Sequence, residues 1–227
     1  CCMVLTLLPT TVSAADGPMD TIPKYDVSID VYNRTSDISI KDSRSYYIYS
    51  SVPDKLRDTW AWDKKIFIKG DKTAPHVFID GVNIEMSPSS KGPAIELNKK
   101  ASAYIYFIGK NSSLQGADGR AAIQKNRSEG QLYVLARTGT TVTCKGGDKA
   151  AGIGGSYATR NISNGYYNGD MYGHGVNMHF GSQSNPDYWG GTIAAIGGNG
   201  GAGIGGGQGG SGEKLYFYSG TVQANGG

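Results

Sequence analysis

The sequence predicts an all-β chain folded as a β-solenoid, a parallel β-coil with an N-terminal β cap, and three observations carry that prediction. Thr192 to Gly206 reads T-I-A-A-I-G-G-N-G-G-A-G-I-G-G, Thr141 to Gly155 reads T-V-T-C-K-G-G-D-K-A-A-G-I-G-G, and Thr221 to Gly227 opens the same unit as T-V-Q-A-N-G-G. The apolar residues lie in short stretches of period two, with no convincing period of 3.6 bounded by helix start and stop signals. Of 35 glycines, 26 fall between Gly146 and Gly227. Each costs roughly 0.5 to 1 kcal/mol against alanine in regular structure, so this many require a geometry such as a tight corner in every coil.

Self-similarity at a fixed period marks one supersecondary unit stacked on itself. Fainter copies of the unit precede the two complete ones. Ile95 and Ile123 occupy the place of Ile153 and Ile204, at intervals of 28, 30 and 51 residues along the series. A repeat near 29 residues, the interval from Thr192 to Thr221, accounts for these positions once an insertion of about 22 is allowed within Ser156 to Gly190.

Taken in order, Cys1 to Ala14 reads as a signal peptide lacking its charged start, with a short apolar run before Val12-Ser13-Ala14. The run is well short of the ~20 residues of a membrane span. The mature chain is expected to begin near Ala15 and to lie outside the cell, secreted or at a bacterial surface. Cys1 and Cys2 leave with the leader, and Cys144 alone excludes a disulfide framework.

Residues 15–64 carry alternating stretches, Asp26 to Tyr32 and Asp37 to Lys41, amid higher charge. A coil's first edge and open core need closing, so this region is read as the cap. Trp60 and Trp62 are expected to cover it. From Lys65 to Gly227 the strands become short and regular: Ile66-Phe67-Ile68, Val77-Phe78-Ile79, Val82 to Met86, Ile95 to Leu97, Tyr104 to Ile108, and Leu132 to Leu135. With like strands hydrogen-bonded at ~4.8 Å, Ile95, Ile123, Ile153 and Ile204 should stack as an interior column. Cys144, aligned with Ala195 and Ala224, should fill a small interior slot as an inert core residue.

The insertion at residues 156–190 concentrates aromatic, amide and acidic groups. Tyr166, Tyr167, Tyr172, Asp170, Asp187, Tyr188 and Trp189 are the candidate ligand-binding residues, because aromatic faces beside hydrogen-bonding groups suit a sugar ring and loops on a rigid scaffold carry function. Local packing of the same aromatics is the competing reading. No metal site is expected from His174 and His179, and no calcium roll from Gly200 to Ile204, which lacks aspartate. No cofactor is expected either: Gly201 to Gly206 matches a dinucleotide fingerprint by letter, yet no helix can follow it. Asp80, Glu85, Glu96 and Asp118 are the carboxylates an enzyme would have to use. With net charge +3 and no basic stripe, nucleic acid is not an expected partner.

The unit T-[IV]-x-[AC]-x-G-G-x-x-x-A-G-I-G-G, preceded by F-I-D-G-V-N-I-E-M (Phe78 to Met86) and A-I-E-L (Ala94 to Leu97), resembles the Gly-rich repeat region of large exported proteins of anaerobic Gram-positive gut bacteria. Those are described as carbohydrate-binding-domain-containing or cell-surface proteins. The resemblance spans about Lys65 to Gly227 and implies a right-handed parallel β-helix, similar in architecture to pectate lyases. It transfers no catalytic residue. The expected function is therefore a non-catalytic adhesion or carbohydrate-binding scaffold with a glycan or cell-surface polysaccharide as partner. The alternatives are a β-helix lyase or glycosidase, and a purely structural stalk. The repeat beginning at Thr221 breaks off, so further coils are expected beyond Gly227.

Overall fold

The computed structural model describes residues 22–70, 73–90, 92–97, 100–125, 129–157 and 173–227, with the backbone of 162–163 and 166–167. The leader read at Cys1 to Ala14 lies outside these residues. The first strands are β1 (Val27–Asp30), β2 (Ile38–Ile40), β3 (Ser45–Tyr49), β4 (Ile66–Ile68), β5 (His76–Asp80), β6 (Asn83–Glu85) and β7 (Ile95–Leu97). There follow β8 (Ala103–Phe107), β9 (Ser112–Gln115), β10 (Ile123–Gln124), β11 (Leu132–Ala136), β12 (Thr141–Lys145) and β13 (Ile153–Gly154). The last are β14 (Ile162–Ser163), β15 (Tyr166–Tyr167), β16 (Gly175–Phe180), β17 (Thr192–Ile196), β18 (Ile204–Gly205), β19 (Gly212–Phe217) and β20 (Thr221–Asn225). Helix is confined to short pieces, among them 3₁₀ turns at Asp54–Leu56 and Pro88–Ser90.

The fold is all-β, with three parallel sheets that the chain visits in rotation. The seven-stranded sheet has the order β1-β3-β5-β8-β11-β16-β19, the six-stranded sheet β18-β13-β10-β7-β4-β2, and the five-stranded sheet β20-β17-β12-β9-β6. From β5 onward each circuit passes from the seven-stranded to the five-stranded to the six-stranded sheet. The segment read as a cap enters the same sheets: β1 pairs in parallel with β3, β3 with β5, and β2 with β4.

Register follows the repeat. Ile38, Ile66, Ile95, Ile123, Ile153 and Ile204 are successive Cα partners across the six-stranded sheet, which extends the expected column by two rungs towards the N-terminus. The first five are fully or almost fully buried, and Ile204 is partly buried. Each burial stabilises by roughly 1.5 to 3 kcal/mol. Trp62 begins a second interior column, through a parallel bridge to Ile84 and on to Leu114, Cys144 and Ala195, ending at Ala224, which is in register but exposed on the last strand. Side-chain volume falls along this column from indole to methyl. Trp62 is thus core rather than cover, and its indole nitrogen donates to the Arg34 carbonyl at 2.8 Å. Trp60 packs partly buried against the same core.

Corners between the seven-stranded and five-stranded sheets repeat one device. Gly81, Gly109, Gly139, Gly181 and Gly220 follow β5, β8, β11, β16 and β19 with φ of 61°, 68°, 83°, 76° and 79°. Side chains rarely adopt this left-handed region, whereas glycine enters it without steric cost.

The insertion is not one loop. Gly175–Phe180 interrupts it as a full strand of the seven-stranded sheet, paired with β11 and β19. Val176, Met178 and Phe180 alternate with Asn177 and His179, and the first set is buried in the core or at its edge. The extra length is therefore divided between residues 155–174 and a shorter excursion from Phe180 to Thr192.

Candidate functional site

Parallel in-register strands place equivalent side chains one above another at the ~4.8 Å strand spacing. On the outer face of the seven-stranded sheet this aligns His76, Tyr104, Tyr133, His179 and Tyr216 as successive partners. Their rings stack face to face. Centroid separations are 4.7, 4.5, 4.4 and 4.7 Å, with interplanar angles of 4°, 11°, 16° and 16°. Such pairs contribute about 0.5 to 1.5 kcal/mol each beyond the area they bury, so the ladder ties five circuits together.

Polar edges complete the ladder. His76 Nδ1 lies 3.0 Å from the Tyr106 hydroxyl, and His179 Nδ1 lies 3.0 Å from the Tyr218 hydroxyl. Tyr133 donates to Gln131 Oε1 at 2.7 Å. Burial holds both imidazoles below their ordinary range. The Tyr133 phenol is pushed up to about 12, first by burial and then by neighbouring phenols. These groups are neutral near pH 7.

A second outward row runs beside the ladder through Tyr47, Phe78, Tyr106 and Leu135. Phe78 stacks on Tyr106 at 4.8 Å, and the Tyr47 hydroxyl donates to Asp80 Oδ2 at 2.8 Å. The shorter excursion is fastened onto this row. Trp189 meets the Tyr106 ring at 5.0 Å and is 4% exposed, while Tyr188 meets Trp189 edge-on at 4.8 Å. Thr138 secures the loop backbone: its hydroxyl donates to the Asp187 carbonyl, its N–H donates to the Tyr188 carbonyl at 2.9 Å, and its Oγ1 accepts from the Gly190 N–H at 3.1 Å. Ser219 Oγ donates to the Trp189 carbonyl at 2.8 Å.

Of the residues proposed from sequence, Tyr188 and Trp189 thus lie against the aromatic face, Trp189 buried as the anchor and Tyr188 half-buried, while Asp187 is exposed with its carbonyl held by Thr138. Tyr166 and Tyr167 form β15, paired antiparallel with β14 in a separate two-stranded sheet. Asp170 and Tyr172 lie outside the described residues. Sequence reading missed the ladder. Its signal was present in the 29-residue interval from Tyr104 to Tyr133 and in the outward alternation of Tyr104 and Tyr106.

The histidines serve separate contacts, since His174 Nδ1 lies 2.7 Å from Ser211 Oγ. Among the described residues no three His, Cys, Asp or Glu side chains gather as metal ligands do. Of the carboxylates considered for catalysis, Asp80 is engaged by Tyr47 and the Lys110 N–H and Glu96 by Lys65 at 2.7 Å, while Glu85 and Asp118 are exposed. Cys144 is wholly buried and its thiol is pushed far up by that burial. Lys125 is also fully buried, which pulls its amine down to about 8.

No protein-family model, curated protein or solved structure matches the chain. Among the described residues no helix is long and apolar enough to cross a membrane.

Proposed function

We propose that the chain is a right-handed parallel β-helix with an N-terminal β cap, and that it serves as a non-catalytic carbohydrate-binding or adhesion scaffold of an exported, cell-surface protein. The observation that carries this reading is the outer face of the seven-stranded sheet. There a five-ring ladder with hydroxyl and amide edges runs beside a second row, Tyr47, Phe78 and Leu135, which is itself buried together with Trp189. Ring edges that carry hydroxyl, imidazole and amide groups suit sugars, which offer many hydroxyls. The rotation through three parallel sheets supports the β-helix, and the resemblance of the glycine-rich unit to exported repeat proteins supports the surface role.

A glycan array probed with the full chain tests the reading, with product release followed in parallel. Binding without new reducing ends or unsaturated sugars is expected. Release of such products would favour a polysaccharide-processing enzyme. A second reading, a purely structural stalk, draws on the mutual stacking of the ladder rings and the burial of Trp189, and predicts no glycan binding.

A further inference from the structure

The centre of the aromatic face carries no charge. β8 is Ala-Tyr-Ile-Tyr-Phe and β11 is Leu-Tyr-Val-Leu-Ala. The positions two residues before Tyr104 and Tyr133 are Ser102 and Gln131, joined by a hydrogen bond from the Gln131 N–H to Ser102 Oγ at 3.0 Å. Charged groups of this sheet lie on other strands or at strand ends, with Asp30 on β1, Asp80 on β5, Glu213 and Lys214 on β19, and Arg137 directly after β11. An anionic ligand confined to Tyr104 and Tyr133 would lose water with no cation within β8 or β11 to receive it.

The same face offers its groups in a repeat. One ring stands on each of five strands at separations of 4.4 to 4.7 Å, with Tyr216 exposed, His76, Tyr104 and Tyr133 half-buried, and His179 buried up to its ring edge. Mutual stacking occupies the faces of Tyr104, Tyr133 and His179, so what these rings offer outward is edges and polar atoms. A partner that meets equivalent groups at every step must itself repeat at about the strand spacing of ~4.8 Å. An extended pyranose chain with equatorial linkages advances by about that distance per sugar.

Resting on the carbohydrate-binding reading above, we infer that the ladder binds a neutral, unbranched, extended glycan lying across the strands, one sugar to each coil, with the Tyr104 and Tyr133 hydroxyls as central contacts. Each coil then adds the same contact, and affinity grows with chain length until the ladder is filled.

Calorimetric titration of the full chain with cello-oligosaccharides and chito-oligosaccharides of two to six sugars tests this, with oligogalacturonates as the acidic control. Affinity for at least one neutral series should rise severalfold per added sugar and level off near five. Tyr104→Ala and Tyr133→Ala should each weaken hexamer binding about tenfold, while Lys145→Ala, exposed on the five-stranded sheet, changes it less than twofold. Tyr104→Phe and Tyr133→Phe preserve the stack and test the hydroxyls even where an alanine variant fails to fold. A flat length dependence, preference for the acidic series, or indifference to all four ladder variants overturns the inference. Glycan-array binding alongside any of these results leaves the broader carbohydrate reading standing, whereas an empty array as well removes both.

Discussion

His179 lies between the rings of Tyr133 and Tyr216 while its Nδ1 reaches the Tyr218 hydroxyl at 3.0 Å, and His76 repeats the hydroxyl contact with Tyr106. Burial holds both imidazoles below the ordinary histidine value of 6.5. As pH falls, the unfolded chain takes up these protons first, so the contribution is complete above about 6.5 and is lost as pH drops through the lowered native values. Urea midpoints should therefore fall between pH 7.5 and pH 5, and His179→Gln should flatten that slope. Exposed carboxylates act lower. Asp42, held at about 2 chiefly by its hydrogen bond from Arg44, loses its contribution only as pH falls below about 4.

The isoleucine column should respond rung by rung. Ile153→Ala should cost about 2 to 5 kcal/mol. Ile204→Ala, at a partly buried rung, should cost less. Equilibrium denaturation of the two variants checks the order, and equal losses would contradict the graded burial.

Glycine substitutions separate two kinds of constraint. A Cβ at Gly147 would meet the Ala117 carbonyl oxygen at 1.9 Å, whereas at Gly139 it would meet nothing within 4 Å. Gly139→Ala should therefore cost only the left-handed strain, roughly 1 to 2 kcal/mol, and Gly139→Asn should cost less. Gly147→Ala should prevent native packing altogether. Thermal unfolding and soluble yield distinguish the three.

Cys144 sits between Leu114 and Ala195 in the second interior column. Its buried, protonated thiol should ignore aromatic disulfide reagents in native protein and react stoichiometrically in denaturant. Cys144→Ala should fold, at a cost near 1 kcal/mol for the lost volume. Cys144→Ser should be worse, because a hydroxyl brings a polar group into an apolar slot.

Trp189 holds the shorter excursion on Tyr106. Trp189→Ala should free that loop without unravelling the coils, so limited proteolysis should cut between Gly181 and Gly191 while far-UV circular dichroism stays unchanged. Loss of the β spectrum would show that the indole supports the sheet itself.

The parts of this architecture legible in the sequence are those where neighbouring coils repeat the same residue. Thr141, Thr192 and Thr221 are Cα partners, as are Cys144, Ala195 and Ala224, and the isoleucines keep their register despite uneven spacing. Inward positions tolerate little variety, so the repeat is written in letters. Outward positions tolerate much. His76, Tyr104, Tyr133, His179 and Tyr216 share a row through ring shape rather than identity, and the long interval from Tyr133 to His179 hides that they are neighbours. Ile38 escaped the column for a related reason: the charged residues around it resemble a cap more than a coil, whereas Ile66 reads as part of a coil strand but lacks the glycine-rich unit that marks the column's later rungs. Gly175–Phe180 was absorbed into an aromatic loop because its flanks are rich in tyrosine, although its buried alternation is that of a strand.

The in-register parallel pairing has a consequence for reach. A unit of about 29 residues, the interval from Thr192 to Thr221, advances the molecule by one strand spacing of ~4.8 Å. The same residues wound as an α-helix would span about 40 Å. A chain folded this way is a poor tether and a good wall, broad and slow to lengthen, in which every added course widens the decorated face without requiring a new core.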